Sequence, residues 1–170
     1  MKKIGIFYGS TTGTTENIAR KLAALLSVDS ADVHDVAKTA PSAVGRYDIL
    51  VLGTSTWGDG DLQENWYDFL PGMEVLDLRG KEAAIFGCGD ETMTDTFCSA
   101  VGKLHDRLEK TGVKFIAPYN IVGYHFDHSG AVPSDAVEAE GLLIDEVNHP
   151  ELTATRLAGW ATLIHESAEK

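Results

Sequence analysis

Two kinds of hydrophobic pattern alternate along the chain. Short runs of consecutive apolar residues predict buried strands, and longer segments in which apolar residues recur every three or four positions predict helices. The predicted strands cover residues 4–7, 32–36, 49–53, 83–87 and 113–117. The helical positions form three stripes: Ile18, Leu22, Leu25 and Leu26; Phe97, Val101, Leu104 and Leu108; and Leu157, Trp160, Ala161 and Ile164.

Strands that alternate with helices predict a three-layer α/β fold, because a helical crossover is the usual connection between parallel neighbours. The segment 118–140 breaks this alternation with many Gly, His, Asp and Pro residues, and a second apolar patch follows at 142–144. We interpret the segment as an insertion that interrupts the last strand. With no internal repeat or linker, residues 1–170 are predicted to form a single domain.

The net charge of the chain indicates which classes of partner the protein can bind. Its formal net charge is -12, which disfavours nucleic acid and anionic membranes and favours a basic partner. No apolar window is long enough for a membrane span, and the run after Lys2 and Lys3 is broken at Gly9, which is atypical of a secretory signal. Cys88 and Cys98 have neither CxxC nor zinc-site spacing. Together these features predict a cytoplasmic protein with reduced cysteines.

The segment YGSTTGTTE, residues 8–16, combines two glycines with five Ser and Thr side chains between a strand and a helix, and contains no Lys or Arg. Such a loop presents backbone amides at the positive end of the helix dipole and suits a phosphate. It is not a Walker A loop, since Thr14 follows Gly13, and Gly9 and Gly13 lack the Rossmann spacing. A capped helix start without a ligand is the alternative interpretation.

Two further loops, at 54–66 and 87–97, follow strands at the same predicted sheet edge. Ligands of such sheets bind beyond the carboxyl ends of the strands. Trp57 stands beside Gly58-Asp59-Gly60, and a planar aromatic ligand would cover an indole exposed there. Trp57 could instead be an exposed aromatic residue or anchor the core.

In order and spacing, the three loops resemble those of the flavodoxin family, and the insertion resembles its long-chain branch. The resemblance covers nearly the whole chain and includes 123–126, 141–146 and 150–153. It implies a flavodoxin-like fold, with a five-stranded parallel sheet in the order 2-1-3-4-5, helices on both faces and an insertion in the last strand. It also implies noncovalently bound FMN.

The resemblance assigns each loop a part of FMN. The phosphate loop would comprise Ser10, Thr11, Thr12, Gly13, Thr14 and Thr15. The loop over one ring face would comprise Ser55, Thr56, Trp57, Gly58, Asp59 and Gly60. Cys88, Gly89 and Asp90 would meet the pyrimidine edge through their backbone. No catalytic or metal-ligating residue is predicted, and the six histidines are expected to have surface or packing roles: His34, His105, His125, His128, His149 and His165.

The function that the resemblance implies is electron transfer rather than catalysis. The protein would be a low-potential one-electron carrier that shuttles between semiquinone and hydroquinone, with a peptide flip at Gly58-Asp59. Its partners would be a flavodoxin/ferredoxin NADP reductase and low-potential acceptor enzymes, and a monomer is expected. The acidic rim that steers these partners and disfavours the anionic hydroquinone would comprise Asp59, Asp61, Glu64, Asp90, Glu91 and Asp95.

Other functions that occur on this topology fit the residues less well. An FMN-dependent NAD(P)H:quinone reductase is the alternative, although Trp57 over one face and the acidic rim argue against it. A receiver domain would need an acidic pair after the first strand, where Tyr8-Gly9-Ser10 stand, and a phosphatase at Cys88 lacks the Arg that would bind phosphate.

One departure from the family pattern concerns the outer ring face. Most long-chain members carry a Tyr in the third loop, whereas GDETMTDTF has none and is one residue shorter. We expect Met93 or Thr94 to fill that position, with Met93 covering the ring less completely because a thioether lacks the flat face of Tyr. The hypothesis is weaker FMN binding and an easier second reduction.

Overall fold

The computed structural model describes residues 1–170 and contains a parallel sheet with helices packed on both faces. The strands are β1 (Ile4–Gly9), β2 (Val33–Asp35), β3 (Ile49–Trp57), β4 (Asp61–Leu62), β5 (Glu82–Cys88), β6 (Lys114–Phe115), β7 (Tyr119–Asn120), β8 (Glu138–Ala139) and β9 (Leu142–Ile144). The α-helices are α1 (Thr14–Leu25), α2 (Trp66–Glu74), α3 (Ser99–Leu108) and α4 (Pro150–Ala168). Short 3₁₀ turns cover Ser30–Asp32, Pro41–Arg46 and Glu109–Thr111.

The main sheet has the order β2-β1-β3-β5, and two short strands share the position beyond β5. β6 pairs with the start of β5 (Glu82 with Lys114), and β9 pairs with its end (Phe86 with Leu142). All these pairs are parallel, whereas β4 folds back antiparallel to β3. Counting β6 and β9 as one interrupted strand, the predicted order 2-1-3-4-5 and the insertion are both confirmed. The insertion carries the separate β7–β8 hairpin.

Side chains alternate between the two faces of the central strands, as the strand period requires. Leu50 and Leu52 of β3 pack with α2 and α3, and Ile49 and Val51 pack with α1 and α4. The register places Gly9 beside Thr54, and Ser55 beside Cys88. The carboxyl ends of β1, β3 and β5 therefore meet at one edge, where the three loops emerge. No helix in this fold combines the length and the apolar character needed to cross a membrane.

Several local predictions need correction. Leu25 was expected on the buried helical stripe but is exposed, because α1 ends there and Leu26 turns inward instead. The strand predicted at 113–117 is only Lys114–Phe115, and the backbone has left the strand conformation at Ala117, where φ is 56°. The pattern also missed α2, a short helix whose regular spacing is disturbed by Pro71 and Gly72.

Candidate functional site

The first loop joins β1 to α1 and leaves a group of backbone donors unpaired. The amides of residues 11, 12, 14, 15 and 16 donate to no acceptor in the protein, and the amide of Gly13 is bound by Ser10 Oγ at 3.1 Å. Gly13 has φ 94°, a conformation that strains any residue with a Cβ. Unpaired amides at a helix N-terminus form a binding site for an anion.

Basic side chains contribute little to this site. The first basic residue of α1 is Arg20, which lies beyond the first turn, and its guanidinium is already paired with Glu16 at 2.8 Å. Thr11, Thr12 and Gly13 are exposed, whereas Thr15 is buried. The loop therefore offers neutral donors to an anion that arrives from solvent.

Gln63 holds the first loop to the second and was not predicted from the sequence. Its fully buried side chain donates from Nε2 to Thr11 Oγ1 at 3.1 Å and accepts at Oε1 from the amide of Asn65 at 3.0 Å. Its own amide donates to Thr54 Oγ1 at 3.1 Å. No periodic pattern marks this residue, because its role depends on a contact with a distant loop.

The second loop is a tight hairpin that places an aromatic ring at the rim. β3 continues to Trp57 and turns back so that Trp57 faces Asp61 on β4. The indole of Trp57 is 43% exposed, and its N–H donates to Ser55 Oγ at 2.7 Å. Gly58 turns the chain with φ 51°, where glycine meets no steric cost. A large apolar face is thereby held open beside the first loop.

The third loop runs from β5 to α3 and is shaped by Asp90. Asp90 Oδ1 accepts hydrogen bonds from the amide of Thr92 at 2.8 Å, from Thr92 Oγ1 at 2.6 Å and from Asn148 Nδ2 at 2.7 Å. The Thr92 hydroxyl and the Asn148 amide lower the pKa of the Asp90 carboxyl, so this group stays ionised. Burial raises the pKa of the Cys88 thiol to about 12, so this cysteine is not a nucleophile.

Residues of all three loops line a cleft of about 270 Å³ at the edge of the sheet. Its walls are Thr12, Thr14, Ser55, Thr56, Trp57, Cys88, Gly89, Asp90, Glu146 and Val147. A smaller cleft of about 110 Å³ shares Thr56, Trp57, Gly89 and Asp90 and reaches Gly58 and Met93. The structure thus brings together most of the residues predicted to form one site, and adds Glu146 and Val147 from the segment before α4.

The remaining predicted site residues line neither of these clefts. Thr11 faces a neighbouring cavity with Trp57, Leu62, Glu64 and Tyr67. Gly60 is buried against Ser99, and Asp59 is exposed. Ser10 and Gly13 hold the first loop in shape through the hydrogen bond from the Gly13 amide to Ser10 Oγ. Met93, by contrast, does line the smaller cleft, and its side chain is 55% exposed.

The acidic rim is smaller than predicted. Asp59, Glu64 and Asp95 are exposed, but Asp61 is paired with Lys103 at 3.0 Å. Glu91 was expected on the rim and is instead buried, with 4% of its surface exposed, because the third loop turns its side chain inward. The net negative field therefore comes from fewer free carboxylates.

A sheet in the order 2-1-3-4-5 with a cleft where the strand order reverses defines the flavodoxin-like class of doubly wound α/β proteins. Residues 6–160 match the family described as Flavodoxin. The chain belongs to the flavodoxin family.

Similar proteins cover the chain almost completely. It is 46% identical to Flavodoxin 1 of Shigella flexneri over 163 residues, which are 95% of this chain and 92% of the relative. It is 41% identical to a flavodoxin of Haemophilus influenzae over 98% of this chain and 95% of the relative. A crystal structure of Fusobacterium nucleatum flavodoxin bound to flavin mononucleotide superimposes with a TM-score of 0.91 at 29% identity, covering 99% of both chains.

Proposed function

We propose that this protein is a one-electron carrier that binds FMN noncovalently in the cleft between its three loops. The observation that carries the proposal is the set of five unpaired amides at residues 11, 12, 14, 15 and 16, beside a half-exposed Trp57. Amides and hydroxyls suit a phosphate, and the indole suits a flat ring. The family and the FMN-bound relative support the same ligand.

The residues divide into three groups by the part of FMN that they suit. The hydroxyls and amides of Ser10–Thr15 would hold the phosphate, and the segment Ser55–Gly60 would cover one ring face. The backbone of Cys88–Asp90 would meet the pyrimidine edge, with Met93 toward the outer face. When bound, FMN supplies the capacity to accept and release electrons one at a time.

The protein's own part is to set the cost of negative charge in the cleft. Asp90 lines the cleft and is held in its ionised form by Thr92 and Asn148. A unit charge about 8 Å from another costs about 2 kcal/mol at an effective dielectric constant of about 20, before salt screening. Added electron density is therefore disfavoured, which suits a low-potential donor. Gly58, without a Cβ, lets the peptide before Asp59 reorient at small steric cost.

The exposed carboxylates of Asp59, Glu64 and Asp95 suit basic partners. Rim charges act mainly on the rate of encounter, so such partners bind and leave quickly. We infer that the partners are a flavodoxin/ferredoxin NADP reductase and low-potential acceptor enzymes. We also infer that the protein is a cytoplasmic monomer that forms a single domain. Rates of electron transfer that do not fall as the salt concentration rises would contradict a role of the acidic rim in partner binding.

The test of the proposed function begins with FMN and riboflavin, which differ by the phosphate. We expect the protein to quench the fluorescence of FMN on binding. FMN should bind at least about 100-fold more tightly than riboflavin, because riboflavin leaves the amides unpaired. An anaerobic reductive titration should then show two separate one-electron steps. Equal affinity for both flavins would contradict the phosphate site. A single two-electron step, with direct oxidation of NAD(P)H, would favour a quinone reductase.

A further inference from the structure

A cavity of about 450 Å³ lies between the insertion and helix α4. The insertion contributes Tyr119, Asn120 and Val122 to its wall, and α4 contributes Leu152 and Arg156. The cavity shares no lining residue with the two clefts at the flavin edge. Its volume lies within the range of about 300–1,000 Å³ that is usual for small-molecule sites. It is therefore a candidate binding site that electron transfer does not use.

Arg156 is the one buried arginine of the chain, and it has no anionic partner. Only 7% of its surface is exposed, yet it forms no ion pair and donates no hydrogen bond to another residue. None of its nitrogen atoms is completely enclosed, so they are accessible from the cavity that the residue lines. Because burial without a counter-charge is costly for a cation, this arrangement favours the binding of an anion.

The other four arginines are accommodated differently. Arg46 resembles Arg156 in having no ion pair and in lying over a tyrosine ring, with Cζ 5.7 Å from the centre of Tyr47, but it is exposed to water. Arg156 alone is both buried and unpaired. The remaining three form ion pairs: Arg20 with Glu16, Arg79 with Asp77, and Arg107 with Glu74.

Tyr124 holds the guanidinium of Arg156 in place without satisfying its donors. Cζ of Arg156 lies 3.8 Å from the centre of the Tyr124 ring, and the Tyr124 hydroxyl donates to the carbonyl of Leu143 at 2.6 Å. A cation over an aromatic face is attracted by the ring, but the N–H groups of a guanidinium lie in its plane and point away from its edge. They remain free for a planar acceptor, and a carboxylate matches their geometry with two parallel hydrogen bonds.

The rest of the wall suits a carboxylate that carries an apolar group. No Asp or Glu lines the cavity, although the net charge of the chain is -12. Asn120 accepts at Oδ1 from the amide of Val122 at 2.8 Å, which leaves its Nδ2 as a further donor. Tyr119, Val122 and Leu152 supply apolar surface. The wall thus combines donors and apolar contacts and contains no charge that would repel an anion.

We propose that this cavity binds a small organic carboxylate with an apolar body, and that the carboxylate pairs with Arg156. One guanidinium matches one negative charge, and the wall offers no second cation for a doubly charged phosphate. The apolar body would lie against the side chains of Tyr119 and Leu152. Because the residues lie outside the flavin cleft, the proposal stands apart from the proposed function.

The experiment is a titration of isotope-labelled protein with sodium benzoate, followed by amide NMR spectra, with and without FMN. We expect saturable binding tighter than about 1 mM in both forms, with the largest shifts at residues 119–123 and 152–156. Benzamide has the same shape and no charge. It should bind at least about tenfold more weakly, because a hydrogen bond between two charged groups is stronger than one to a neutral group.

Two substitutions in the wall test the pairing, and one outside the wall is the control. Arg156→Met removes the charge and keeps an apolar stem. Val122→Glu brings a carboxylate to the guanidinium from a position that is 84% exposed. Each should weaken benzoate binding at least about tenfold. Arg46→Met should leave it unchanged, because it removes the same charge from a guanidinium over a tyrosine ring outside the cavity.

Thermal melting provides a second measurement. Benzoate should raise the melting temperature of the parent and leave that of Val122→Glu unchanged, because the introduced carboxylate occupies the guanidinium. Val122→Glu also keeps the test decisive if Arg156→Met does not fold. The proposal is overturned if benzoate gives no saturable shift, if benzamide binds as tightly, or if Val122→Glu binds benzoate as tightly as the parent. Loss of binding in Arg46→Met would also overturn it, since the anion would then not be bound in this cavity.

Discussion

The first loop and the underside of the third loop differ in how their polar groups are satisfied. In the first loop, five backbone amides have no acceptor, and most of the loop is exposed. Below the third loop, the Glu91 carboxylate is almost fully buried and lies 3.1 Å from His149 Nε2. Exposed amides can bind water at little cost, whereas a buried carboxylate depends on the partner that the protein itself supplies. The first loop is thus open to an anion from solvent, whereas the polar groups below the third loop are enclosed by the protein.

The largest expected effect comes from adding a negative charge to the first loop. Thr12→Glu places a carboxylate in the wall of the proposed flavin cleft. We expect FMN affinity to fall about 100-fold, equivalent to about 2.7 kcal/mol, because like charges then meet at close range. Riboflavin affinity should remain within about threefold, since it carries no phosphate.

Fluorescence titration with both flavins measures this effect. The matched control is Thr155→Glu on the exposed side of α4, which adds the same charge away from the cleft. Equal losses of FMN and riboflavin affinity would indicate damage to the fold rather than repulsion of phosphate.

Glu74 is a buried carboxylate that, unlike Glu91, is paired with Arg and Lys side chains. Glu74 contacts Arg107 and lies 2.7 Å from Lys110 Nζ, and these cations lower the pKa of its carboxyl from 4.5 to about 2. Because the folded pKa is depressed, the stabilisation is present above pH 4.5 and is lost as the pH falls through about 2. Glu74→Gln should therefore lower the free energy of unfolding by about 2 kcal/mol at pH 7, and by less at pH 3.

Urea denaturation at the two pH values tests Glu74→Gln. Asp77→Asn is the control, because Asp77 is paired with Arg79 at the exposed surface and screening by water makes such pairs weak. An equal loss for Glu74→Gln at both pH values would mean that packing, not charge, is responsible.

Glu140 is a mostly buried carboxylate that no Lys or Arg pairs, although His105 Nδ1 lies 3.5 Å from it. Burial, together with Asp106 and Glu109, raises the pKa of its carboxyl from 4.5 to about 7. A raised folded pKa means that stability is present below pH 4.5 and is lost as the pH rises through about 7. Glu140→Gln should increase the free energy of unfolding by about 1 kcal/mol at pH 8 and leave it nearly unchanged at pH 5.

The same denaturation series, at pH 5 and pH 8 in EDTA, measures the effect of Glu140→Gln. Glu138→Gln, at the exposed position of β8, supplies the control and should change the free energy of unfolding little at either pH. A gain at pH 5 as large as that at pH 8 would contradict the role of the charge.

The smallest expected effect concerns the outer wall of the cleft. Met93→Tyr would add a flat ring where a half-exposed thioether now stands. We expect FMN to bind about threefold more tightly and the second electron to enter at a lower potential, because a stacked aromatic pair adds about 0.5–1.5 kcal/mol. Met93→Leu should match the parent. Unchanged affinity and unchanged potentials in Met93→Tyr would reject the hypothesis about this wall.

The alternation of strand and helix patterns was sufficient to predict the fold and the positions of the three loops. Parallel strands carry their carboxyl ends to one edge, so the loops after β1, β3 and β5 had to be neighbours once the strands were recognised. Gly13, Trp57 and Asp90 could be proposed for this reason, together with the family resemblance. Helix α2 was not predicted, because Pro71 and Gly72 interrupt its hydrophobic pattern.

The sequence by itself determined the layers of the fold and the edge at which the three loops emerge, since these follow from local periodicity and a general rule of connection. The sheet order and the flavin were implied by the family resemblance. Only the tertiary structure decided that Gln63 supports Thr11, that Glu91 turns inward, and that His149 meets it. Such contacts join residues far apart in the chain, and burial depends on the path of each loop. No periodic signal records either property, because each arises only when separate segments pack together.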